Sequence, residues 1–107
     1  MMRPEERREY ELRNLAAAID EVGTMRGVIA SLLVAPGLAN RDALVKGSES
    51  LLEVLPKAQS ALAALRGELT MDTLVNAIHY SMIIRARIDH LGVKAGGPWT
   101  LTPVAYA

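Results

Sequence analysis

Long sets of apolar residues in this chain are spaced alternately three and four apart, the period of a helix and not of a strand. Leu12, Leu15, Ile19, Val22, Ile29 and Leu33, with Arg26 filling the remaining position, are spaced 3-4-3-4-3-4. Leu44, Ser48, Leu51, Leu55, Ala58, Leu62 and Leu65 repeat the pattern. A third apolar set runs from Met71 to Leu91 and includes Leu74, Val75, Ile78, Met82, Ile83, Ile84, Ala86 and Ile88. That set covers more than one helical face, which predicts a largely enclosed third helix.

The breaks between these sets carry helix start and stop chemistry. Pro4 suits the first turn of a helix, where its missing N–H would be unpaired anyway, and Glu5 and Glu6 complement the positive end of the dipole. The first helix should then run about 45 Å, at 1.5 Å per residue, to Val34, where Ala35-Pro36-Gly37 stops it. Asn40 is a good N-cap for the second helix and Gly67 a good C-cap. Pro56 removes a backbone hydrogen bond inside that helix and predicts a kink or a break. Thr70 caps the third helix, and Gly92-Val93 has the form of its stop.

The sequence therefore predicts an all-α protein: a three-helix up-down-up bundle over residues 1–93, with a long first helix, a kinked second helix and an extended C-terminal arm over 94–107. The arm begins with the hinge Ala95-Gly96-Gly97-Pro98. Pro98 and Pro103 forbid a continuous helix beyond it.

Composition sharpens this picture. One Trp, three Tyr and no Phe in 107 residues leave the core to Leu, Ile, Val, Met and Ala. Twelve basic and twelve acidic residues cancel to a formal charge of zero. A nucleic-acid binder usually carries a basic excess, so nucleic acid is an unfavoured partner. Low net charge also permits self-association. There is no Cys, hence no disulfide framework and no thiol chemistry. Met1 to Arg13 is too charged for a signal peptide, and the longest apolar run, Val28 to Ala35, is too short to cross a bilayer. The reading is a cytoplasmic protein, or a virion protein if the source is viral, without a membrane partner.

Chemistry is sparse. The predicted third helix bears a polar stripe of Asp72, Asn76, His79, Arg87 and His90, which reads as a solvated face. The use of His79 as a proton carrier lacks a supporting carboxylate or nucleophile. His79 and His90 are eleven residues apart, without the i,i+4 spacing of helical metal sites. No catalytic residue, cofactor, metal or small-molecule ligand is predicted. A helix-turn-helix over Leu65 to Leu91 would put Met71, Leu74, Val75 and Ile78 where base-reading polar residues belong.

Contact surfaces are better marked. Gly23 and Gly27 lie one turn apart inside the first helix, each costing about 1 kcal/mol relative to Ala, which predicts the close approach of another helix. Arg85 and Asp89, with Ser81, interrupt the apolar third helix and are spaced for an intrahelical ion pair at a subunit or domain boundary. Trp99, Leu101, Val104 and Tyr106 give the arm anchors of the kind found at binding hot spots, on its own bundle or on another subunit. These features favour a non-enzymatic protein-protein interaction and assembly protein, a small virion (phage) or multi-subunit complex component, whose partner is itself or a larger complex. The alternative is a small inhibitor that occludes a larger host enzyme or defence complex. A helix-turn-helix-like transcriptional regulator ranks third.

Overall fold

The computed structural model describes residues 2–34 and 41–94, of which 93% are helical, with no strand among them. Three helices follow in chain order: α1 (Pro4–Leu33), α2 (Arg41–Gly67) and α3 (Met71–Lys94). Each packs against the other two, in a body 51 × 25 × 16 Å across.

The helix ends follow local chemistry. Arg3 holds an extended conformation ahead of α1 without a side-chain cap, and Pro4, Glu5 and Glu6 open the helix. Between α2 and α3 the two threonines cap reciprocally. Thr70 Oγ1 accepts from the Thr73 amide at 3.1 Å, and Thr73 Oγ1 accepts from the Thr70 amide at 2.9 Å. The pair thus makes a capping box with a second threonine in place of the usual Glu.

Arginines close both ends of the α1–α2 pair. No basic residue lies in the last turn of α1, but Arg41 from the start of α2 donates to Leu33 O. At the opposite end Arg8 Nε donates to Leu65 O at 3.0 Å and its Nη2 to Arg66 O at 2.6 Å. The last carbonyls of both helices, which lack intrahelical donors, are thereby bonded to a cation.

The core is one cluster. α1 contributes Leu15, Ala18, Val22, Met25 and Ile29, and α2 contributes Leu44, Leu51, Val54, Ala58, Ala61 and Leu65. α3 adds Ala77, Ile84, Ile88 and Leu91. The α1 seam thus runs through Met25 and not Arg26, which is exposed, and Glu11 fills its first position, nearly buried and 3.4 Å from Arg7. Small residues let the helices approach. A Cβ on Gly47 of α2 would overlap Leu91 Cδ1 of α3 and stand 3.1 and 3.2 Å from Leu91 Cγ and Cδ2.

Three sequence expectations are corrected. α2 passes through Pro56 without breaking into two helices. Pro56 and Leu52, whose carbonyl loses its donor to the proline, are both exposed, so water can satisfy that carbonyl. α3 does not stop at Gly92 but continues to Lys94. Nor is α3 enclosed: Met71, Val75 and Met82 are 75, 52 and 65% exposed. The proposed cap Asn40 and residues 95–107 of the arm lie outside the described residues, while Lys94, placed in the arm by the sequence, ends α3.

Candidate functional site

α3 presents two contrasting faces. Ala77, Ser81, Ile84, Ile88 and Leu91, spaced 4-3-4-3, enter the core. Met71, Val75, Ile78 and Met82 repeat the 4-3-4 spacing about a third of a turn away, and only Ile78 among them is half-buried. Arg85 and Asp89 extend this second row by 3 and 4. It is an apolar helical stripe of the kind that packs against another helix, and none of the three helices covers it. In the sequence both rows together read as evidence of enclosure. The signal that separates them is that the deeper row is completed by small residues, Ala77 and Ser81.

The stripe lies along the α1–α3 boundary, which is fastened by polar side chains. Asn14 Nδ2 donates to Ser81 Oγ at 2.9 Å, giving the buried hydroxyl its partner. Arg85 Nη2 donates to Asn14 Oδ1 at 3.2 Å, and Arg85 Nη1 lies 3.3 Å from Glu21 Oε2. The predicted intrahelical Arg85–Asp89 pair is therefore replaced by an interhelical one. Its intrahelical order, with the acid on the C-terminal side, is the weaker, whereas Asn14 and Glu21 stand two turns apart on the α1 face that meets Arg85. Asp89 is exposed. Tyr10, one turn before Asn14 on α1, is 47% exposed and adds an aromatic ring to the same boundary.

Gly23 and Gly27 do not meet another helix among the described residues. Both are exposed, and a Cβ added at either would meet nothing within 4 Å. With exposed Ala30 they leave a smooth, shallow strip on α1. Trp99, Leu101, Val104 and Tyr106 lie outside the described residues.

Among the described residues a concave surface lies between α2 and α3. A groove of about 670 Å³ has Ala43, Gly47, Ala86 and Leu91 as its apolar walls, with Lys46, Ser50, Arg87 and His90 among its polar groups. Arg87 Nη1 donates to Ser50 O at 2.7 Å, tying the two helices at its edge. A smaller recess of about 170 Å³ follows beyond Arg87, lined by Val54, Tyr80 and Ile83 with Glu53, Lys57 and His79. The His79 and Tyr80 rings meet edge to face at 5.2 Å. The predicted solvated stripe of α3 thus forms, through Arg87 and His90, one wall of a groove. Sequence reading missed Lys46 and Ser50, which join that groove only because Gly47 lets α2 and α3 close together.

Among the described residues no group of three or more His, Asp or Glu side chains is placed to hold a metal ion. No helix among them is long and apolar enough to cross a membrane. Comparison with known proteins found no matching family model, no matching curated protein and no matching solved structure.

Proposed function

We propose that this chain is a non-enzymatic assembly protein that packs the exposed stripe of α3 against a helix of another protein subunit, in the first instance a second copy of itself. The observation that carries this reading is the row Met71, Val75, Ile78 and Met82, three of whose side chains are more than half exposed on an otherwise well-packed bundle. Exposed apolar side chains scattered singly are ordinary, but three on one helical row, joined by half-buried Ile78, form a continuous strip that association would bury. Arg85 and Asp89 at its end supply one charge of each sign, suited to fixing the register of a partner helix. The bare strip of Gly23 and Gly27 on α1 offers a second place where a helix can approach closely.

The bundle is read as up-down-up. The contacts of Arg8 with Leu65 and Arg66, and of Arg87 with Ser50, support antiparallel neighbours, and those of Asn14 with Ser81 and Glu21 with Arg85 support a parallel α1 and α3. A bend at Pro56 belongs to the same reading.

The test is absolute mass by light scattering across a concentration series, for the native chain, Val75→Glu and Met82→Glu. The expected result is a discrete oligomer that both substitutions reduce to the 11.6 kDa monomer while helical circular dichroism is unchanged. Gly27→Leu should likewise leave the monomer folded and weaken any contact made through α1. A monomer at every concentration would refute self-assembly and shift the reading to occlusion of a foreign protein.

A further inference from the structure

The two ends of the α3 stripe differ in charge. Residues 68–70 before it, and α1 from Pro4 to Glu21 beside it, all belong to the described residues. The end at Met71 is acidic: Asp72 is exposed in the first turn of α3, and Glu68 is exposed in the turn before it. The end beyond Met82 carries Arg85, whose side chain stays 44% exposed although it meets Asn14 and Glu21. We propose that the partner is a second copy of this chain whose α3 lies antiparallel on the stripe, about a two-fold axis crossing α3 at the level of Asn76 and Ala77. Met71 then packs on the partner's Met82, Val75 packs on the partner's Ile78, and Arg85 faces the partner's Glu68. The proposal rests on the self-association read from this stripe and adds its direction and register.

Charge decides the direction. A parallel pair in register would set Asp72 beside Asp72 and Arg85 beside Arg85, and would align the two helix dipoles side by side. The antiparallel pair brings the acidic end to the basic end twice, and opposes the dipoles. Apolar matching decides the register. A row with alternating 3 and 4 spacing mates with its antiparallel copy in steps of about one heptad. With Met71 on the partner's Met82, each of the four apolar residues meets an apolar residue. One step along, Val75 would meet Arg85 and Met71 would meet Asp89, covering charges with apolar side chains. One step the other way would set Ile78 against Glu68. In the favoured register Asp89, one turn past Arg85, falls beyond the start of the partner's α3. Asn14 bonds Ser81 across the α1–α3 boundary, 67 residues on. The same offset puts Tyr10, 47% exposed, at the level of Ala77, where each copy adds a ring to the flank of the contact. The formal charge of zero sets no net repulsion against pairing.

The chain has no cysteine, so engineered thiols report without background. Met71→Cys and Met82→Cys are made as separate full-length chains, and each is oxidised alone and as an equal mixture at concentrations where light scattering gives the oligomer. The two positions are eleven residues apart, about 16 Å along one helix, whereas a disulfide needs Cα atoms within about 7 Å. The antiparallel register therefore predicts covalent dimers in the mixture, several-fold above either chain alone. A parallel pair predicts that each chain links to itself. Glu68→Lys supplies a second measurement. Glu68 joins the fold through its backbone carbonyl, which accepts from Thr73 Oγ1 at 2.8 Å, so the substitution leaves the cap intact. It turns two ion pairs per dimer into repulsions, and should raise the dissociation constant about tenfold at low salt and less at high salt, with helical circular dichroism unchanged. A native chain that is monomeric throughout would overturn this proposal together with self-assembly. A stable oligomer whose single variants link to themselves, whose mixture links no better than they do, or which Glu68→Lys does not weaken would overturn the antiparallel register and leave self-assembly standing.

Discussion

Replacing each of three helical glycines by alanine should stabilise the protein at two positions and destabilise it at the third. Alanine gains about 0.5–1 kcal/mol over glycine in a helix interior through chain entropy and propensity alone. At Gly23 and Gly27 an added Cβ meets nothing within 4 Å, so the whole gain is realised. At Gly47 the same methyl overlaps Leu91 Cδ1, with Cγ and Cδ2 at 3.1 and 3.2 Å. Leu91 is 2% exposed and has little freedom to retreat within the core. Its escape is outward into the α2–α3 groove, which forfeits part of the roughly 1.5–3 kcal/mol that burying a leucine contributes, and overpacking costs about 1–3 kcal/mol in general. The propensity gain offsets only part of this, leaving Gly47→Ala about 1 kcal/mol less stable than the native chain. At about 4 °C per kcal/mol for a domain of this size, Tm should rise by about 2–4 °C for Gly23→Ala or Gly27→Ala and fall by about 4 °C for Gly47→Ala. Thermal melts by far-UV circular dichroism, at concentrations where the chain is monomeric, read all three. The decisive control repeats Gly47→Ala in a Leu91→Ala background. With the leucine removed the methyl has room, and the substitution should become neutral or stabilising. A Gly47→Ala chain that melts higher than the native one, or a penalty that persists without Leu91, would refute the close packing of α2 on α3 at this point.

Other perturbations test the core, the cap and the polar fastening by chemical denaturation. Ile84→Ala, at a fully buried position, should cost about 2–5 kcal/mol, a large share of the stability of a small domain. Thr70→Ala removes an acceptor from the reciprocal cap and should cost about 1 kcal/mol. Arg85→Ala breaks a pair whose side chains are 44 and 41% exposed, so it should cost less than about 0.5 kcal/mol and less still at high salt. A loss of about 2 kcal/mol or more at Arg85, approaching that of a buried-pair deletion, would show that the fastening does more for the fold than its exposure implies.

Much of the architecture is legible from residue spacing and helix-end chemistry. Pro4 opens α1, Thr70 caps α3, Gly67 ends α2, and the three apolar sets become three helices. The candidate contact residues are less so, because a contact surface is defined by what remains uncovered once the helices pack. Met71 and Ile84 look equally suited to a core in the sequence, yet one is 75% exposed and the other fully buried. Likewise Arg85 has an acid four residues away in sequence, and only the packing of α1 supplies Asn14 and Glu21 as its partners.

The departures from the two heptad seams share one cause. Every seventh residue of each seam is buried as its spacing predicts: Leu15, Val22 and Ile29 on α1, and Leu44, Leu51, Ala58 and Leu65 on α2. The intervening positions are each off by one. Ala18 and Met25 replace Ile19 and Arg26 at the centre of α1, and Val54 and Ala61 replace Leu55 and Leu62 on α2. A strict heptad describes a helix with one partner and a narrow seam, whereas each helix here has two partners and needs a broader apolar face. On α1 Arg8 reaches α2, while Asn14 and Glu21 reach α3, so the buried centre must fall between them. Burial cost selects the same solution. A centre at Arg26 would put an unpaired guanidinium in the core, and a shift of one residue puts Met25 there instead. On α2 the equivalent shift brings Gly47 to the α3 side in place of Ser48, and the contact of Gly47 with Leu91 follows from it. The glycine that interrupts the second seam in the sequence is thus where α2 and α3 come together, and the groove beside it exists because nothing larger stands there.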